Sequence, residues 1–172
     1  EIHDESAWVL RKLFPVGSAG MFSCVPDLLK FVHMVMNDGI AAGANGSEIR
    51  VAPAGILKMV SENAFTREGA AQFLPAGNST AGNSTAGDSP AGAANGACTA
   101  LGWELAQGKF MGSRVSPHAF GKTGFTGASI VADPIAGAAV VLLSDFTYPH
   151  REASADRIHA FRASLADAFF GF

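Results

Sequence analysis

Between Thr126 and Asp145 the chain carries two apolar stretches joined by a five-residue turn signal, and no other feature restricts the fold as much. Residues 126–133 and 137–145 read as strands. Asp133-Pro134-Ile135-Ala136-Gly137 between them supplies a carboxylate that can bond its own backbone, a proline with fixed φ and a glycine. The two strands are therefore expected to pair as an antiparallel hairpin. Ala138 to Leu143 is apolar at every position, which suits a central strand covered on both faces. Helices laid on each side of an antiparallel sheet would provide that cover, so the expected fold class is α/β (α+β).

The helices are legible on either side. Ser23 can cap a helix with Pro26 and Asp27 in its first turn, and Leu28, Phe31, Val32, Val35 and Met36 share one face. It should stop near Asn37-Asp38-Gly39. A second, weaker helix is expected from Pro53 to Glu62, with Ile56, Leu57 and Val60 inward. A last one starts at Ser154, carries Ile158, Phe161, Leu165 and Phe169 as its stripe and ends at Gly171. Leu101-Gly102-Trp103-Glu104-Leu105 reads as a further strand with Trp103 in the core. A short segment around Phe110 and a strand from His118 to Lys122 follow.

Charge and composition exclude several functions. A net charge of -3 with no basic stripe argues against a nucleic-acid partner. No run approaches the roughly 20 apolar residues of a membrane helix, so no membrane segment is expected here. Two cysteines, Cys24 and Cys98, make no disulfide framework, and Cys24 reads as an ordinary buried thiol. Ile2-His3-Asp4-Glu5 holds three ligand types, but neighbouring side chains of an extended chain diverge and no second cluster follows. Neither a metal nor another cofactor is expected.

Asn78-Ser79-Thr80-Ala81-Gly82 recurs unchanged at residues 83–87 and with two changes at residues 88–92. A tract so small and polar has too little apolar surface to offset the entropy of ordering it. Residues 72–97 are therefore read as a low-complexity flexible insert within one partial domain spanning residues 1–172.

The chemistry concentrates in Phe120-Gly121-Lys122-Thr123-Gly124-Phe125, where a cation, a hydroxyl and a glycine stand at a strand end. Lysines also guard strand edges and glycines also permit bulges, so the triplet alone decides nothing. With its surroundings, however, the chain resembles the serine β-lactamase, penicillin-binding-protein and esterase superfamily in its class C-like branch, over the C-terminal half of that family. His3-Asp4-Glu5, Gly17-Ser18-Ala19-Gly20-Met21-Phe22-Ser23 and Leu101-Gly102-Trp103 are similar to further landmarks of the family, with Ser18 where histidine is usual. The resemblance implies the corresponding part of the β-lactamase/transpeptidase-like fold. It also implies roles: Lys122 as a positive partner for a substrate carboxylate and an aid to proton movement, and Thr123 as a hydroxyl donor. Gly124 would leave room for the substrate, and the Phe125 backbone N–H would be one oxyanion donor.

Acyl transfer of that kind needs a serine with a lysine three positions on, and none of the serines here has one. Ser61-Glu62-Asn63 formally fits the family's second motif but follows landmarks it should precede. The only tyrosine, Tyr148, is followed by Pro149-His150, and no Gly-X-Ser-X-Gly elbow occurs. The chain also opens at Glu1 with neither Met nor a basic leader. The expectation is a C-terminal fragment of a serine hydrolase acting on an amide, β-lactam or ester. It would be inactive alone, partnered by the N-terminal remainder of the same protein and by a small-molecule or peptide substrate bearing a carboxylate. The alternative is a complete, non-catalytic carboxylate- or peptide-binding module on the same sheet.

Overall fold

The computed structural model describes residues 21–61, 99–149 and 154–171. Helix α1, Val25–Met36, opens with Pro26 in its first turn and Asp27 paired to Lys30 at 2.9 Å. Ser23 does not cap it: Cys24 is the N-cap residue, no side chain caps the helix, and the Ser23 hydroxyl turns to the Cys24 carbonyl at 3.5 Å. Pro26 at the second helical position has no N–H, which removes one of the donors that a cap would serve. Cys24 is exposed, against expectation, with its thiol 3.4 Å from the Asp27 carboxylate. Val32, Met34 and Val35 are buried, whereas Phe31 is half-exposed and stacks on Trp103 at a centroid distance of 6.5 Å.

The helix stops at Asn37, as expected. Asp38 (φ 49°) and Gly39 (φ 87°) then take left-handed conformations. A Cβ on Gly39 would lie 2.5 Å from the Ala52 carbonyl oxygen, so glycine is required there. A small antiparallel ladder that the sequence reading did not include follows, β1 (Ile40–Ala42) on β2 (Glu48–Arg50). Helix α2 spans Ile56–Ser61 and starts three residues after the expected Pro53. Its cap comes from elsewhere: the Asp38 carboxylate accepts the N–H groups of Gly55 at 2.8 and 2.9 Å and of Leu57 at 3.2 Å. Those bonds hold the Asp38 carboxyl below its ordinary pKa.

The main sheet has four antiparallel strands, β3 (Glu104–Leu105), β4 (Phe120–Thr123), β5 (Ser129–Asp133) and β6 (Ala138–Leu142), in that spatial order. The expected β5–β6 hairpin is present, with Asp133 opposite Ala138. Asp133, 2 % exposed, accepts the N–H groups of Ile135 at 2.9 Å and Ala136 at 3.3 Å, and is tied from outside by the Ser116 N–H at 2.6 Å and hydroxyl at 2.7 Å. The strand expected at residues 101–105 is shorter, because Gly102 (φ 76°) turns the chain just before it.

Period-two alternation sorts the sheet residues into two layers. Phe120, Ile130, Ala132 and Ala139 pack with Val32, Val35 and Val60 from α1 and α2, and Trp103 joins them edge-on to Phe120 at 5.1 Å. On the opposite face Val131 and Val140 meet Phe110 and Met111 of α3 (Gly108–Met111) and Phe170 of α4 (Asp156–Phe170). Strand β6 ends the sheet order among the described residues rather than lying at its centre. Its all-apolar sequence has another cause, since α1 contacts it on one side and α4 on the other.

In α4 the buried positions are Ile158, Arg162 and Ala166, whereas Phe161 and Phe169, expected inward, are exposed. Ala155 is the N-cap residue, although the Ser154 hydroxyl does accept the Asp156 N–H at 3.1 Å. Gly171 ends the helix as expected. The motifs at residues 2–8, the first four residues of the Gly17–Ser23 motif, most of Ser61-Glu62-Asn63, the insert at 72–97, Cys98 and His150 lie outside the described residues.

Candidate functional site

The end of β4 is exposed by the brevity of its neighbour. β3 pairs only with Phe120 and Gly121, so among the described residues no strand covers the same edge at Lys122 and Thr123. Gly121 cannot carry a side chain, because a Cβ there would lie 2.5 Å from the Ile130 carbonyl oxygen and 3.0 Å from the Met111 methyl. Lys122 stands on the layer of Phe120 and Thr123 on that of Gly121, so the two side chains leave the strand on opposite sides. The Lys122 ammonium meets the Glu104 carboxylate at 3.0 Å, both groups remaining open to solvent.

Beyond Thr123 the chain makes a tight turn. The Gly124 N–H donates to the Ala128 carbonyl at 2.7 Å and the Gly127 N–H to the Gly124 carbonyl at 3.2 Å. The Thr126 carbonyl accepts the Phe146 N–H at 2.8 Å and the Ser144 hydroxyl at 3.3 Å. Gly127 (φ 101°) is held against the Ser144 hydroxyl too closely for any Cβ. Phe125 rides on this turn with its ring half-exposed.

Behind the turn lies a residue that the sequence reading missed. Arg162, 3 % exposed, donates from Nε to the Gly127 carbonyl at 3.0 Å, and from Nη2 to the carbonyls of Gly124 and Ala128, both at 2.9 Å. Its Nη1 meets His159 Nδ1 at 3.3 Å. A guanidinium only donates, so Nδ1 is the acceptor and the histidine proton sits on Nε2. Burial, and then the charges of Lys109 and Arg162, push the His159 pKa below its ordinary value and favour that neutral form.

These groups line an open cleft of about 270 Å³ whose walls include Thr123, Gly124, Phe125, Thr147, His159 and Arg162. Three of the four sequence-derived candidates thus share one cleft. Lys122 is not on its wall but adjoins it along the strand. Arg162, His159 and Glu104 carried no sequence signal: a charged residue on a helix reads as solvent-facing, and the carbonyls that draw Arg162 inward lie 34 to 38 residues earlier. Among the described residues no group of three or more His, Cys, Asp or Glu could hold a metal ion.

The family model described as Beta-lactamase matches residues 2–165, nearly the whole chain. No curated protein and no solved structure matches it.

Proposed function

Because the chain belongs to the β-lactamase family, whose fold is of the serine-hydrolase type, we propose that it supplies the third-motif strand of a hydrolase working through an acyl-enzyme on a β-lactam, amide or ester. The observation that carries this reading is the uncovered β4 edge at Lys122 and Thr123, running into a turn that is braced from behind by buried groups. A substrate can lie along such an edge as an added strand. In this reading Lys122 attracts the substrate carboxylate and eases proton movement, and Thr123 donates its hydroxyl. Gly124, with no side chain, lets the substrate approach the backbone, and the Phe125 N–H stabilises the oxyanion. The pairing of Lys122 with Glu104 is compatible with this, since an exposed ion pair is weak and readily exchanged for a substrate carboxylate.

The nucleophile lies outside these residues in this reading, because none of the serines has a lysine three positions later. The 172-residue chain alone is then inactive. Its partners are a carboxylate-bearing substrate and the segment of the same protein that carries the serine.

The test is to incubate the complete gene product and the 172-residue chain, separately, with a labelled penicillin and with a fluorophosphonate, and to read intact mass. An adduct on the complete product and none on the chain is the expected result. An adduct on any serine among these residues, or none on the complete product, defeats the proposal. Tight carboxylate binding without acylation would instead favour a non-catalytic binding module.

A further inference from the structure

Arg162 is charged, buried, and among the described residues unpaired with any carboxylate. Burying a cation is costly, and a well-packed apolar side chain at the same place is often no worse for stability. Its contacts show what the charge does instead: three of the five carbonyls between Gly124 and Ala128 point at one guanidinium. Two of them, those of Gly124 and Ala128, are also the acceptors that close the turn. The planar, five-donor fork of arginine can hold three oxygens in a fixed relation, which a lysine ammonium on a flexible stem cannot.

We propose that Arg162 is a positioning residue: from the last helix it sets the conformation of the 124–128 turn, and through it the direction of the Phe125 N–H at the strand end. The catalytic half of this statement rests on the acyl-enzyme reading above. The geometric half rests on the hydrogen bonds alone. Arg162 does not touch the substrate in this scheme. It fixes a donor, and a donor held loosely stabilises a developing oxyanion poorly.

The test uses Arg162→Met and Arg162→Lys in the complete gene product, with a chromogenic ester as substrate and acylatable sites counted by labelled penicillin. Arg162→Met is expected to lower kcat per titrated site by about 10- to 100-fold while KM changes less than about threefold, with Arg162→Lys in between. A merely structural arginine would reduce the number of titratable sites and leave kcat per site unchanged, and that result overturns the proposal. If Arg162→Met does not fold, the comparison is made with Arg162→Lys.

Should the wild-type product not acylate at all, the acyl-enzyme reading fails by itself. The geometric half is then decided on the complete gene product by amide hydrogen exchange. Arg162→Lys is expected to speed exchange at Gly124 and Gly127 by about tenfold or more without changing the β5–β6 ladder. Unchanged exchange at those two amides overturns it.

Discussion

Lys122 and Glu104 meet at 3.0 Å across the β3–β4 edge, and they do so in the open. The glutamate therefore competes for the same ammonium that a substrate carboxylate would seek. Replacing Glu104 by Gln is expected to change unfolding free energy by less than about 0.5 kcal/mol. In the complete gene product it should tighten binding of a carboxylate substrate about two- to fivefold. The gain should shrink as salt is raised from about 0.02 to 0.5 M, because exposed charges are screened. Titration of both forms at the two salt concentrations checks this.

Gly121→Ala is expected to destabilise the chain by about 1–3 kcal/mol, since the new methyl meets the Ile130 carbonyl oxygen and strand β4 must shift. Gly137→Ala offers the contrast. It has open space around it and only a φ of 63° to strain it, so about 1 kcal/mol is expected. Urea midpoints of the two variants, at matched slopes, should fall in that order.

Asp133 makes the β5–β6 turn sensitive to acid. Burial pushes its carboxyl up, but the bonds from Ser116, Ala136 and Ile135 outweigh burial and hold it below the ordinary value. The unfolded chain therefore takes up the proton first. The stabilisation is complete above about pH 4 and is lost as pH falls through the lowered native value. Asp133→Asn should cost about 2–3 kcal/mol at pH 7 and flatten the stability curve below pH 4.

His159 acts in a higher window. Facing it are Lys109 from α3, Arg162 and Asp156 from its own helix, and Glu104 from β3; burial first, then the two cations, keep its pKa below about 6.5. Since the unfolded histidine binds the proton more readily, stability is full above about pH 6.5 and declines as pH falls through that range. The slope of unfolding free energy between about pH 7.5 and 5 should be positive in the native chain and smaller in His159→Gln. Chemical denaturation at stepped pH measures it.

The hairpin was legible because Asp133 to Gly137 is a local signal, and so was the Trp103 core position, because an aromatic beside a strand has few other uses. The short β1–β2 ladder was not legible, since three-residue strands carry no usable period. The start of α2 was misplaced because its cap, Asp38, is remote in sequence from the helix it serves. The inward face of α4 was misread for a related reason. Hydropathy favours Phe161 and Phe169, while unsatisfied carbonyls favour Arg162, and hydropathy does not reveal carbonyls in a distant turn. At the site, Lys122 to Phe125 could be nominated from their order, but the splitting of Lys122 and Thr123 onto opposite sides is a property of the strand pairing.

The bond between Arg162 and the 124–128 turn also imposes an order on biosynthesis. The turn carbonyls leave the ribosome 34 to 38 residues before the cation that braces them, so the strand end is completed only when the final helix docks. A nonsense codon between residues 145 and 160 would keep the sequence of β3 to β6 but remove the helix that braces the turn and covers Val131 and Val140, so the strand end and one face of the sheet would be lost together.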